Sequence, residues 1–359
     1  MKGRGGTAAG QSRSRCMNIT TIRAGKSRLI YCDDGLPGLT RRKAGNGWAY
    51  FDAAGARVND RDEIDRLNRI ALPPAYGDAW FCPVDNGHLL ATGIDAKGRK
   101  QYRYHPDFRA HKEGEKFDST AHFGRLLPLV RKRVEDDLKS PRLTQERAVA
   151  SIVRLLDTGG IRVGNETYAK ANQSFGATTL RMRHADVSGN VLKLRFKAKS
   201  GKLCEMKITD KSLARFVRRM QDLPGQHLFQ YLDDSGEAQP VGSAQVNDYL
   251  RETMGEDFTA KNFRTWHASA IGLQTLAEAE EALTVKALAE SVSERLGNTP
   301  AIARKSYIHP AVIALIERQV KWREKLKLPR ATPWLNRYER ALIALLENGP
   351  SAAKLIAAA

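Results

Sequence analysis

A chain of 359 residues is long enough for two or three domains with full hydrophobic cores, so its size calls for neither metals nor disulfides. With 59 Lys and Arg against 40 Asp and Glu, the net charge of +19 exceeds what solubility requires and points to a polyanion, nucleic acid first. A membrane partner is disfavoured, because no apolar run approaches the roughly 18 residues needed to cross a bilayer and no basic amphipathic helix stands at a terminus.

Residues 1–18 read as a disordered basic tail. Lys2, Arg4, Arg13 and Arg15 stand without an acid in a Gly/Ser-rich stretch that cannot bury a core, and no apolar segment follows to make a secretory signal. Met17 offers an alternative start. The four cysteines, Cys16, Cys32, Cys82 and Cys204, are scattered without a C-x-x-C pair. They suggest neither a zinc site nor a disulfide framework and fit a reducing cytosol, so a cytoplasmic location is expected.

Residues 19–108 alternate short strand-like runs with turns. Candidates are Leu29–Cys32, Gly47–Phe51, Ala79–Cys82, His88–Thr92 and Gln101–Tyr104, with a helix between Asp60 and Ile70 that Asp60 can cap. The loop at Asp95–Lys100 carries Lys97 and Arg99 and leads into Gln101, Tyr102, Arg103 and Tyr104. Cations and aromatics interleaved on one hairpin suit contacts to phosphates and nucleotides. The charged stretch after His105–Pro106 reads as a linker over 106–116.

From there the texture is helical, which places a larger domain at 109–350 and a short tail at 351–359. Phe123, Leu126, Leu127, Val130 and Val134 recur at helical spacing, with a kink or break expected at Pro128. A second stripe, Val149, Ile152, Val153 and Leu156, begins at Thr144 and stops at Gly159–Gly160. Three strands interrupt, 181–187, 191–196 and 203–208, turning at Ser188–Gly189 and Ser200–Gly201. Helices resume at Asp210, Ser243, Thr259, Thr284 and Thr299, each a plausible cap, and a late pair spans 310–323 and 334–347. The expected fold class is α+β, a small N-terminal antiparallel-sheet domain followed by a larger, mainly helical domain with a three-stranded sheet.

Four separated segments of the larger domain offer groups able to meet at one phosphodiester. Arg162 lies on the glycine-flanked turn Gly159-Gly-Ile-Arg-Val-Gly164, where backbone can approach a ligand and the guanidinium fork can bridge two oxygens. Lys199 sits at the tip of the hairpin Phe196-Lys-Ala-Lys-Ser-Gly-Lys202, and Arg264 inside the helix containing Lys261-Asn-Phe-Arg-Thr-Trp-His267. In Leu296–His309, Gly297 can end one helix, Thr299 can cap the next and Pro300 fits its first position, so Tyr307 falls about two turns on. Arg304 and Lys305 flank this tyrosine, and cationic neighbours favour the phenolate that would attack a phosphate. His309, a lone histidine close to Tyr307, reads as a surface residue.

These segments, in this order, resemble the eukaryotic-type topoisomerase IB family in its poxvirus and bacterial branch, over about residues 19–320. The resemblance implies a catalytic set of Arg162, Lys199, Arg264, Asn298 and Tyr307. Asn298 departs from the family's usual histidine, a hydrogen-bond donor to a phosphate oxygen, although an amide can also donate. The segment Gly93–Tyr104 resembles the family's DNA-clamping segment, in which Gln101, Tyr102 and Tyr104 fall on DNA-contacting positions; with Lys97 and Arg99, the cations of the same hairpin, they are expected to contact DNA. Asn165 and Tyr168 fall on the helix that enters the major groove in poxvirus enzymes, with Asn165 where a lysine is usual. The implied reaction is attack of Tyr307 on the scissile phosphorus, a 3′-phosphotyrosyl intermediate, expulsion of a 5′-hydroxyl, strand rotation and resealing. Arg162 and Arg264 would stabilise the charge that grows on the phosphoryl oxygens, and Lys199 would protonate the leaving oxygen. No cofactor is expected, the chain having no G-x-x-x-x-G-K-[ST] loop and no compact carboxylate cluster. The implied partner is double-stranded DNA, clamped by a monomer in the bacterial nucleoid. A tyrosine recombinase is the rival of the same fold, but it usually carries His-x-x-Arg where this chain has Lys261-Asn-Phe-Arg264. A non-catalytic basic DNA-binding protein explains the charge but not the ordered Arg, Lys, Arg and Tyr.

Overall fold

The computed structural model describes residues 21–24 and 27–358; the expected basic tail with Cys16 and Met17 lies outside them. The chain divides into two compact units, 1–115 and 116–359.

In the first unit, β1 (Thr21–Ala24) and β2 (Ser27–Ile30) form a hairpin. β3 (Leu39–Ala44), β4 (Gly47–Phe51), α1 (Arg61–Arg69), β5 (Gly77–Phe81), β6 (Leu89–Ile94) and β7 (Lys100–Tyr104) follow. The strands build an antiparallel sheet in the order β4-β3-β5-β6-β7, which leaves β7 at an edge. Asp60 caps α1 by accepting from Asp62 N. β3 escapes a pattern search because an arginine occupies an inward position. The Arg41 guanidinium lies 4.0 Å from the Trp48 ring and its two terminal nitrogens donate to Leu72 O and Pro73 O at 2.8 and 2.6 Å, so the charge is held where an aliphatic side chain would be expected. Leu39, Tyr50, Leu67, Phe81 and Ala91 make the small core.

The expected linker is instead a helix, α2 (Pro106–Asp118), and the division of the chain falls within it. Pro106 takes its first position, where a missing N–H costs nothing, and the His105 ring accepts from Asp107 N at 3.2 Å.

The second unit begins with α3 (Thr120–Lys139), which runs unbroken through Pro128 because Phe123, Leu127, Val130 and Val134 are all buried along one face. α4 (Gln145–Gly159) starts at Thr144, which accepts from Arg147 N, and ends at Gly160 in the left-handed conformation. Next come α5 (Glu166–Asn172), β8 (Ala185–Ser188, entered through a 3-10 turn at 182–184 rather than as strand from 181), β9 (Val191–Lys197) and β10 (Leu203–Thr209). These strands form a three-stranded antiparallel sheet with β9 central. α6 (Lys211–Gln221), the short pair β11 (Gln230–Leu232) and β12 (Ala238–Pro240), α7 (Ser243–Met254), α8 (Ala260–Glu278), α9 (Val285–Leu296) and α10 (Pro300–Ser306) follow. Gly242, not Ser243, occupies the cap of α7. The first of the expected late helices is broken into α11 (Pro310–Ala314), a 3-10 turn and α12 (Gln319–Lys325), and the second is α13 (Arg337–Asn348). The expected terminal tail forms α14 (Ala352–Ala358), pinned where Ala352 N donates to Asp118 Oδ1 at 2.6 Å.

α3, α4 and α8 surround one large core in which Phe123, Phe263 and Trp266 are buried. Gly124 permits the α3–α8 approach, since a Cβ there would stand 2.2 Å from the Trp266 ring. An ionic brace crosses the same region. Arg131 on α3 pairs with Asp157 on α4 (2.8 Å) and Glu339 on α13 (2.7 Å), while Trp266 Nε1 donates to Glu339 at 3.1 Å. Burial opposes the Arg131 charge, and the two carboxylates more than restore it. Deleting one partner of such a buried set costs about 3–5 kcal/mol.

Candidate active site

Each candidate side chain of the second unit leaves a place where the backbone is fixed by something else. Arg162 stands in the loop between α4 and α5. There Arg162 O and Val163 O accept from Ala177 N and Thr178 N at 2.8 and 2.7 Å. Gly164, with φ +97°, and Gly176 let the two segments close, since a Cβ on Gly176 would lie 2.6 Å from Arg162 O. Asn298 follows α9 directly after Gly297, whose left-handed φ of 64° turns the chain, and Asn298 N reaches back to Ser293 O at 3.1 Å. Tyr307 ends α10 as its C-cap, with Thr299 holding the other end by accepting from Ile302 N. Ser269 on α8 fixes the segment just beyond it, its hydroxyl oxygen accepting from His309 N at 3.0 Å.

Arg264 joins these segments. It is 4% exposed and donates to Gly160 O at the end of α4, to Leu296 O (3.0 Å) at the end of α9 and to Asn298 Oδ1 (2.5 Å). Arg162 donates to the same Asn298 oxygen at 3.2 Å. Two guanidiniums on one side of the amide leave no doubt about its orientation, because its NH2 group has no proton acceptor to meet there. Asn298 Nδ2 is consequently a donor, buried and without a protein partner among the described residues. An unpaired buried donor costs on the order of 1–3 kcal/mol unless a ligand accepts from it.

The Arg264 guanidinium carbon lies 4.9 Å from the centre of the Tyr307 ring. Burial raises the titration point of this phenol, but Arg264 and then Arg162 outweigh it, and the net effect holds Tyr307 below its ordinary value. Arg264 shifts downward in turn, first through burial and then through Arg162. Arg304 and Lys305, the expected cationic neighbours, are exposed, so tertiary contacts rather than sequence neighbours set the field at the phenol. Lys116 adds to it, with Nζ 5.9 Å from the Tyr307 ring and a hydrogen bond to Ser306 O. That residue was hidden in the expected linker.

Lys199 is exposed at the β9–β10 tip, next to Ser200 at φ 65° and Gly201 at φ 74°. Lys202, from the same hairpin motif, donates to Asn298 O at 3.2 Å. Arg162, Lys199, Lys202 and Arg264 line an open cavity of about 500 Å³, whereas Tyr307 and Asn298 lie outside that lining and join the cluster through Arg264. His309 is a structural residue, not a surface one. It is 3% exposed and caps α11 by accepting from Ala311 N through Nδ1 at 3.0 Å.

The expected DNA contacts fall in both units. In the first, Asp95 organises the loop, accepting from Lys97 N and Arg99 N (2.9 and 3.0 Å), Arg99 Nε (2.8 Å) and Gln101 Nε2 (3.0 Å). Tyr102 and Tyr104 project from one face of β7 with rings parallel and 5.9 Å apart, 47% and 38% exposed. In the second unit, Asn165 caps α5, accepting from Tyr168 N at 2.9 Å, and Tyr168 is half-buried.

A family model described as "Eukaryotic DNA topoisomerase I, catalytic core" matches residues 105–327, and one described as "Bacterial DNA topoisomerase IB, N-terminal domain" matches residues 47–95. A DNA topoisomerase 1B of Acanthamoeba polyphaga mimivirus is 30% identical over 287 residues, covering 76% of this chain and 85% of the viral protein. The DNA topoisomerase 1B of vaccinia virus is 23% identical over 273 residues, or 72% and 83% of the two chains. A DNA topoisomerase 1 of Mycosarcoma maydis is 30% identical over 204 residues, which are 50% of this chain but 20% of the fungal protein.

Proposed function

This chain belongs to the DNA topoisomerase IB family, and from that premise we propose that it relaxes positive and negative supercoils in duplex DNA by cutting one strand through Tyr307. The observation that carries the proposal is the meeting of Arg162 and Arg264 at Asn298 Oδ1, with Arg264 also against the Tyr307 ring.

The phenolic oxygen attacks the scissile phosphorus, and the bond to the 5′-oxygen breaks as the 3′-phosphotyrosyl bond forms. The two guanidiniums, fixed before substrate arrives, face the negative charge that develops on the non-bridging oxygens. Asn298 Nδ2 supplies one more donor to the phosphate, the part that the family resemblance gives to a histidine. Lys199, carried on an exposed hairpin tip that can approach bound DNA, delivers a proton to the leaving oxygen. The phosphodiester's energy is kept in the covalent link, so resealing is the reverse step and ATP has no part in the cycle. A phenol held below its ordinary titration point by cations needs less help from a general base, and cleavage should therefore quicken as pH rises towards that point.

The lysine-, arginine- and tyrosine-bearing loop and strand of the first unit hold the duplex while the free end turns. The enzyme acts as a monomer, without a cofactor, on cytoplasmic DNA of the nucleoid. Relaxation of both positively and negatively supercoiled plasmid in EDTA without ATP, together with a protein–DNA adduct trapped through a 3′-phosphate, is the expected result. Folded protein that leaves both plasmids supercoiled, or an adduct on the 5′ side, would refute it.

A further inference from the structure

Cys32 and Cys82, 50 positions apart and unremarkable in the sequence, have their sulfurs 3.1 Å from each other in the first unit. They are 4% and 0% exposed, and both are free thiols. The contact depends on Gly87, where a Cβ would stand 2.4 Å from the Cys82 sulfur and 2.9 Å from that of Cys32. Their backbones are held by different partners. Cys82 N donates to Leu90 O on β6 at 2.9 Å, whereas Cys32 N donates to His88 Nδ1 at 2.9 Å, just beyond the β1–β2 hairpin. Outside the sulfur pair, the hairpin is joined to the chain leading into β6 by the parallel bridge between Ile30 and Gly87, whose bonds run from Ile30 N to Asn86 O at 2.9 Å and from His88 N to Ile30 O at 2.8 Å, and by Asn86 Nδ2 donating to Arg28 O at 3.2 Å.

We propose that Cys32 and Cys82 are a modification site, a dithiol that hydrogen peroxide converts to a reversible disulfide and that thereby staples the β1–β2 hairpin to the sheet. A disulfide needs its sulfurs at about 2.05 Å, so closure asks for a displacement of about 1 Å. One thiolate attacks peroxide, forming a sulfenic acid and hydroxide. The second thiol then attacks that sulfur, the S–S bond forms and water leaves, so that two thiols and one peroxide give one disulfide and two waters. Burial admits peroxide, a molecule hardly larger than water, far better than bulky disulfides, which separates this site from an exposed thiol open to general exchange. In a reducing cytosol the pair rests as thiols and closes under oxidative load. The site does not depend on the topoisomerase reaction.

The full chain, treated with limiting peroxide, quenched with catalase, denatured and alkylated, tests this by intact mass and peptide mapping. The expected result is the loss of two hydrogens, a Cys32–Cys82 cross-linked peptide, continued alkylation of Cys204 and full reversal by dithiothreitol. Alkylation of both Cys32 and Cys82, or a cross-link through Cys16 or Cys204 instead, would overturn the proposal. Trypsin cutting at the exposed Arg28 in β2 measures the staple, and it should slow several-fold on oxidation. An unchanged rate in cross-linked protein would remove the stapling role. The C82S variant should lose both effects, and because the principal test is made on the unaltered chain, a folding defect in the variant does not blunt it.

Discussion

Arg264 in the second unit and Tyr102 in the first are both proposed to meet DNA, yet the fold holds them in contrary ways. Arg264 is 4% exposed and spends its donors on two helix-end carbonyls and an amide, while Tyr102 is 47% exposed on an edge strand and touches mainly a parallel Tyr104. Groups that must meet a transition state are fixed in advance, since geometry set before binding need not be reorganised during reaction. Groups that grip a duplex without reading it are left exposed, where stacking and charge tolerate small misfits. Changes near Arg264 should act on the chemical step, and changes on β7 should act on binding.

Tyr307→Phe gives the largest effect. It removes the attacking oxygen and leaves the ring against Arg264, so strand cleavage should fall about 10⁴-fold or more, with duplex binding by gel shift unchanged. Equal loss of binding would break the division between the two regions. Arg264→Lys comes next. A single ammonium cannot serve Gly160 O, Leu296 O and Asn298 Oδ1 together, so single-turnover cleavage should drop about 10³-fold and the melting temperature should fall too. Normal cleavage with lowered stability would make Arg264 a structural tie alone.

Asn298→Asp sharpens the same point by separating the two ends of one side chain. The carboxylate keeps an acceptor for Arg162 and Arg264 but removes the Nδ2 donor and places a negative charge beside the phosphate. We expect about 10²-fold slower cleavage with no loss of thermal stability. A stable variant with unaltered cleavage would show that the amide only orients the arginines. On β7, Tyr102→Ala should weaken duplex binding by about 1–3 kcal/mol and leave the cleavage rate of saturated DNA intact.

Much of this arrangement is legible in local chemistry. Thr144 and Gly160 bracket α4, and Gly297, Thr299 and Pro300 mark the passage from α9 to α10, because caps and left-handed residues act within a few positions. The order Arg162, Lys199, Arg264, Tyr307 is also readable as chemistry. What escapes is set by distant partners. Arg41 conceals β3 by filling an inward position with a guanidinium that donates to two distant carbonyls, and α2 hides among charges because the charge run masks its buried Phe108 and Phe117. The cations at Tyr307 come from α8 and the α4–α5 loop rather than from Arg304 and Lys305. Cys32 and Cys82 meet through a sheet register that no spacing rule encodes.

The effect furthest from the chemistry, and absent at neutral pH, concerns His309, two residues from Tyr307, and it tests whether rigidity in the second unit has a pH limit. Burial pushes this imidazole down to about 4, from an ordinary value near 6.5, so the folded chain refuses a proton that the unfolded chain accepts. Stability is therefore complete above about pH 6.5 and declines as pH falls from there towards 4, by as much as roughly 3 kcal/mol for this one group. His184, also lowered to about 4 by burial and then by Arg183 and Arg181, acts in the same window. His309→Asn keeps an acceptor for Ala311 N, as Asn is a favoured cap, and removes the titration. Urea unfolding should then show the variant close to the parent at pH 7 and less acid-sensitive at pH 4.5, with the His184 share remaining. Identical losses between those pH values in both proteins would mean that His309 is reached by water and that the segment carrying Tyr307 opens more easily than its hydrogen bonds imply.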